Sequence, residues 1–182
     1  TIWALRITSV LAGALTVGAL YLIAKPMFGE KTALFSAVFL GCLHFHNNFS
    51  RLGLNNVWDG LWFVVVLGLL WYGWEKRIRV AFLFAGLFLG IAQYFYASAR
   101  ALLGFIPVWI VIAGLLEPSK LKKNFSNLLL MVLVTFVAVF PLGRFFANFP
   151  NEFLAPMQRV SVIGPWLDEQ VLETGKPAWL IL

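Results

Sequence analysis

The chain has 182 residues, of which 61% are hydrophobic and only 12% charged. Soluble domains carry about 25% charged residues, so the side chains needed to solvate a water-facing surface are half missing, and a soluble domain, a disordered chain and a coiled coil are all excluded. A net charge of +6 is modest, and in so apolar a chain it fits loops beside anionic lipid better than a nucleic-acid surface.

The apolar content, about 111 positions, suits five or six membrane spans of about 20 residues each. The lone Cys42 forms no internal disulfide or multi-thiolate site and says little about compartment. Both termini resemble interior sequence, so the expectation is a piece of a longer chain. The fold class expected is all-α: a polytopic membrane helix bundle of about six spans, 1–182 forming one partial membrane domain.

Taken in chain order, the first apolar run covers Trp3 to Ala24 and is broken by Lys25-Pro26. The second, Thr32 to Phe45, is short and is expected to borrow residues from its flanks. It ends in the polar stretch His44 to Asn48, read as a turn. The third follows Asn55-Asn56 and reaches Trp74. The fourth runs from Val80 to about Ala97 and the fifth from Ala101 to Leu116. The sixth spans Phe125 to Gly143 and leads into a mixed stretch, 144–176, expected to lie on the outer face as broken interfacial segments. Hydrocarbon offers no partner for backbone polar groups, so each long apolar run is expected to be a helix.

Lys25, Lys31, Lys76, Arg77, Arg79, Lys120, Lys122 and Lys123 crowd three alternate turns. By the positive-inside rule that side faces the cytoplasm. The polar residues then collect on the outer side. His44, His46, Asn47, Asn48, Arg51, Asn55, Asn56 and Asp59 surround the second–third turn, Gln93, Tyr94, Tyr96, Ser98 and Arg100 end the fourth helix, and Arg6 opens the first. Ionisable residues in membrane segments mark functional sites by default.

Plainer readings stand beside each of these. Asn56 with Asp59 three residues on fits an N-cap and an N3 acid. His44 and His46, two apart on a helix, diverge by about 200° and suit separate hydrogen bonds better than a shared metal. Arg51 and Arg100 could snorkel to headgroups, and Tyr94 and Tyr96 could belong to the aromatic belt. No nucleophile–base signature, glycine-rich phosphate loop or paired Cys/His motif is present, so residue chemistry alone names no reaction. A transporter or channel segment, and another enzyme or scaffold using polyprenyl-phosphate carriers, remain alternatives.

The order of short motifs resembles the GT-C glycosyltransferases of the protein-mannosyltransferase and aminoarabinose-transferase group. The motifs are Arg6-Ile7-Thr8-Ser9 to Gly13, then Tyr21 to Gly29, then His44-Phe45-His46 leading to Ser50-Arg51-Leu52-Gly53-Leu54-Asn55 and Asp59. Tyr94-Phe95-Tyr96-Ala97-Ser98-Ala99-Arg100 and the Pro150, Phe153, Arg159, Val160, Ser161 set complete them. The resemblance implies a multi-pass enzyme of the cell (plasma) membrane. Such an enzyme transfers a hexosyl or pentosyl group from a polyprenyl-phosphate-linked donor to a hydroxyl of unidentified acceptor, often with a divalent metal. Its substrate-binding residues would be His46, Arg51, Asn55, Asp59, Tyr94, Tyr96, Arg100 and Arg159. The family's catalytic acid belongs to a loop upstream of Thr1, so residues 1–182 alone are expected to transfer no sugar.

Overall fold

The computed structural model describes residues 2–153, 155, 172 and 173, and every regular element among them is helical. The six apolar runs become α1 (Ile2–Phe28), α2 (Glu30–Cys42), α4 (Val57–Lys76), α5 (Arg79–Ala92), α6 (Arg100–Leu116) and α7 (Pro118–Asn148), with a further helix, α3 (His44–Leu52), between the second and third runs. Among the described residues four helices, α1, α4, α6 with the turn before it, and α7, are long and apolar enough to cross a membrane. With 13 and 14 residues, α2 and α5 rise about 20 Å, short of a hydrocarbon core of about 30 Å.

Several boundaries differ from the expected ones. Lys25-Pro26 does not end α1, which continues to Phe28 and stops at Gly29, whose φ of 86° few other residues adopt. A proline so near the end forfeits one helix hydrogen bond without stopping the helix. The second run takes Glu30 and Lys31 from its N-terminal flank only, because Leu43 is extended (φ −66°, ψ 117°) and separates α2 from α3. The polar stretch after it is a helix and not a turn: Phe45, Phe49 and Leu52 recur at helical spacing, and Gly53 in the left-handed region closes it. The basic Lys120–Lys123 segment lies within the first turns of α7 and is helical too.

The chain forms two compact units that divide at Pro141, inside α7. In the first, the core is built from α4, α5, α6 and α7, with Val66, Leu70, Trp74, Phe82, Ala85, Leu89, Leu102, Ile106, Leu128 and Met131 buried together. Gly86 and Gly90, four apart on α5, admit the α7 backbone: a Cβ at Gly86 would stand 2.5 Å from the Met131 carbonyl oxygen. Close approach through small residues is how helices pack where lipid supplies no hydrophobic drive. Thr135 Oγ1, 3.1 Å from the Gly86 carbonyl, donates across the same seam.

The α1–α3 segment leans on α4, Thr16 meeting Gly60 and Ile23 meeting Gly68, so α1 and α4 run parallel. Chain alternation therefore brings α3 and the starts of α1, α4 and α6 to one end. The eight basic residues of the three turns come to the other, as the charge pattern predicts.

In the second unit α7 continues from Pro141 to Asn148, Phe149 interrupts it, and a helical turn occupies 150–153. Phe145 and Phe149 rings stand 5.1 Å apart and Phe146 and Phe153 rings 5.3 Å apart. The remainder of 144–176, Arg159 included, lies outside the described residues except for 155, 172 and 173.

Candidate functional site

The polar end of the first unit contains two groups of side chains. The first is built on α3. His46 Nε2 lies 3.2 Å from the Gly13 carbonyl of α1; since a carbonyl only accepts, Nε2 carries the proton. Ser50 is buried on the same face and its hydroxyl donates to the His46 carbonyl at 2.7 Å. A Cβ at Gly13 would overlap the Ser50 side chain, so glycine is what lets α3 seat on α1.

Beside this seam are two hollows of about 270 Å³ each, and Asn47 and Arg51 line both. Cys42, His44 and Asn48 complete one; Gly13, Gly41, His46 and Ser50 are among those completing the other. Asn47 is held in place by its amide, which donates to the Gly41 carbonyl at 2.7 Å. Arg51 sits in the last turn of α3, where the helix dipole favours a cation. It is exposed and enters no ion pair among the described residues.

The second group surrounds Asp59, at the third position of α4. Asn56 occupies the N-cap as the capping reading expects, yet its side chain makes no cap bond. Asp59 is instead 6% exposed and accepts a hydrogen bond from Ser98. Gln93 ends α5 and organises the turn that carries Ser98, donating from Nε2 to the carbonyls of Leu89 (3.1 Å) and Ala99 (3.2 Å).

Three buried polar atoms on one face of α4 have no hydrogen-bond partner among the described residues: Asn56 Oδ1, Asp59 Oδ1 and Trp62 Nε1. Their spacing of three keeps them on adjacent turns of one stripe. Phe95 packs on this stripe, its ring 5.3 Å from Trp58 and 5.2 Å from Trp62. Trp62 was not among the residues singled out from sequence, although its position three after Asp59 was the available signal.

The structure thus unites His46 with Arg51 and Asp59 with Ser98. Asn55 is exposed in the α3–α4 turn, where its carbonyl accepts from the Trp58 amide at 3.2 Å. Tyr94 is a strut: its hydroxyl donates to the Ala138 carbonyl of α7 at 2.8 Å. Tyr96 is exposed just before the 3-10 turn Ala97–Ala99, and Arg100, half-buried, opens α6 two residues after Ser98.

A sequence profile of the dolichyl-phosphate-mannose-protein mannosyltransferases matches residues 1–142, the whole stretch that contains both groups. The chain belongs to this family. It is therefore a membrane protein of a glycosyltransferase family, and the family does not fit the transporter alternative. Searches of curated proteins and of solved structures found no match.

The mannosyltransferase resemblance also implies a divalent metal. Among the described residues no three His, Cys, Asp or Glu side chains come together, and the buried carboxylate Asp59 is engaged by a serine. The described donor set by itself does not fit a metal site.

Proposed function

We propose that this mannosyltransferase-family chain binds a polyprenyl-phosphate-linked sugar at the outer face of the cell membrane, for transfer to an acceptor hydroxyl. The single observation that carries this reading is Arg51, an exposed guanidinium without a carboxylate partner among the described residues, lining two hollows with amide side chains around it. A guanidinium offers a planar fork of donors that matches phosphate. Held there, the carrier phosphate would depart with the electron pair of the sugar C1–O bond while the acceptor oxygen forms the new bond to C1 and its hydroxyl proton passes to solvent. Charge accumulates on the phosphate in that step, which is where a fixed cation lowers the barrier.

Arg100 supplies a second phosphate contact in this proposal. Asp59 and Asn56 present the unpartnered acceptors, and Trp62 the unpartnered donor, that sugar hydroxyls can satisfy. Tyr96 and Asn55, both exposed, flank them. No described residue is assigned as the base that takes the acceptor proton. The basic end faces the cytoplasm by the positive-inside rule.

Binding of a polyprenyl-phosphate-linked sugar to the chain in nanodiscs tests the reading. Losing a charge-assisted phosphate contact costs about 2 kcal/mol, or about thirtyfold in affinity, so Arg51→Ala should weaken binding by that factor. Arg51→Lys keeps the charge without the fork and should fall between. Unchanged affinity in Arg51→Ala would overturn the phosphate assignment.

A further inference from the structure

At the end opposite α3 the charges are not evenly matched. Lys120 lies 2.7 Å from Glu75 and 2.9 Å from Glu117. Glu117 also accepts from Trp74 Nε1 at 3.1 Å, and Asn124, fully buried, donates to the Trp74 carbonyl at 3.1 Å. This clasp consumes both carboxylates and one cation, and it holds the α4–α5 turn beside the start of α7. Lys76, Arg77, Arg79, Lys122 and Lys123 are left exposed, with no acidic partner among the described residues. At the clasp α4 and α6 end while α5 and α7 begin, so their dipoles oppose one another and the side chains carry the field.

Depth distinguishes a lipid from a free anion. Val80 (58% exposed), Leu115 (78%), Leu116 (77%) and Phe125 (64%) border the two cationic turns. An apolar belt so close to the charges sets them at the level of lipid headgroups, where each Lys or Arg is attracted to anionic lipid. Arg77 further adopts the left-handed region, φ 56°, a conformation usually left to glycine or asparagine at a helix end.

We propose that Arg77, Arg79, Lys122 and Lys123 form a docking surface for the phosphate headgroups of anionic phospholipids. The clasp through Lys120 brings the two turns together, and the surface is separate from the Arg51 hollows. It holds whichever side of the membrane this end faces.

The test is to place the chain in nanodiscs of phosphatidylcholine mixed with phosphatidylglycerol, extract it in detergent and measure which lipid it retains. Phosphatidylglycerol should be favoured by about fivefold or more, and the preference should fall in high salt. In R77Q/R79Q/K122Q/K123Q it should drop to near parity, while R77K/R79K retains it. Equal retention of both lipids by the native chain overturns the proposal, as does a preference that survives the quadruple substitution. Displacement of the lipid by inorganic phosphate, beyond a chloride control of equal ionic strength, identifies a free-anion site and overturns it too. Should the quadruple variant fail to fold, the native chain decides alone: a preference indifferent to salt is not electrostatic and sinks the assignment.

Discussion

Ser98 donates its hydroxyl to the carboxylate of Asp59, and this bond joins the first turn of α4 to the 3-10 turn before α6. It spans 39 residues of sequence and gives the buried carboxylate its side-chain partner, while the second oxygen has no partner among the described residues.

Removing the donor should therefore be costly. In Ser98→Ala both carboxylate oxygens are buried without a partner, which is worth about 1–3 kcal/mol and should lower the thermal unfolding midpoint in detergent. Asp59→Asn keeps an acceptor for Ser98 and should hold stability, yet it should weaken sugar-donor binding if the free oxygen receives a substrate hydroxyl. Full binding by Asp59→Asn would leave the carboxylate a structural role only.

The glycines predict effects of opposite sign. Gly86→Ala drives a Cβ against the α7 backbone, and overpacking of this kind costs about 1–3 kcal/mol. Gly18 and Gly104 meet nothing within 4 Å at the corresponding point. Alanine there should stabilise by about 0.5–1 kcal/mol, because glycine loses more freedom on entering a helix. Equal unfolding midpoints for Gly86→Ala and Gly104→Ala would contradict the α5–α7 seam.

Glu117 lies between α6 and α7, and hydrogen bonds from Lys120 and then Trp74 hold its carboxyl below the ordinary value of 4.5. A depressed carboxylate stabilises the fold fully above that ordinary value and loses its contribution as pH falls through the lowered one. Unfolding midpoints should thus decline on acidification below about pH 4.5 more steeply in the native chain than in Glu117→Gln. Parallel declines would show that the clasp does not depend on this charge.

Orientation can be read by labelling. In a Cys42→Ser background, single cysteines at positions 77 and 122 should be shielded from an impermeant maleimide in intact cells, and one at position 48 should react. Labelling of position 122 from outside would reverse the topology and place the Arg51 hollows in the cytoplasm.

Much of the architecture is legible from the sequence because the membrane leaves few choices. Apolar runs must close their own backbone hydrogen bonds, so each of the six became a helix, and Lys and Arg clusters marked alternate turns. The spacing of Phe45, Phe49 and Leu52 marks α3 as well, although nine residues with so many polar side chains equally suit a turn. What only the tertiary structure decided is which polar groups meet. Asp59 is an ordinary N3 acid until helix packing brings Ser98 to it, and Tyr94 is a belt residue until Ala138 receives its hydroxyl. His46 reaches Gly13, and Glu117 reaches Trp74, for the same reason. Local spacing sets the face a side chain occupies, whereas its partner depends on how far one helix slides and rotates against another. That register is set by small contacts such as Gly86 on Met131, summed over the whole interface and carried by no single stretch of chain.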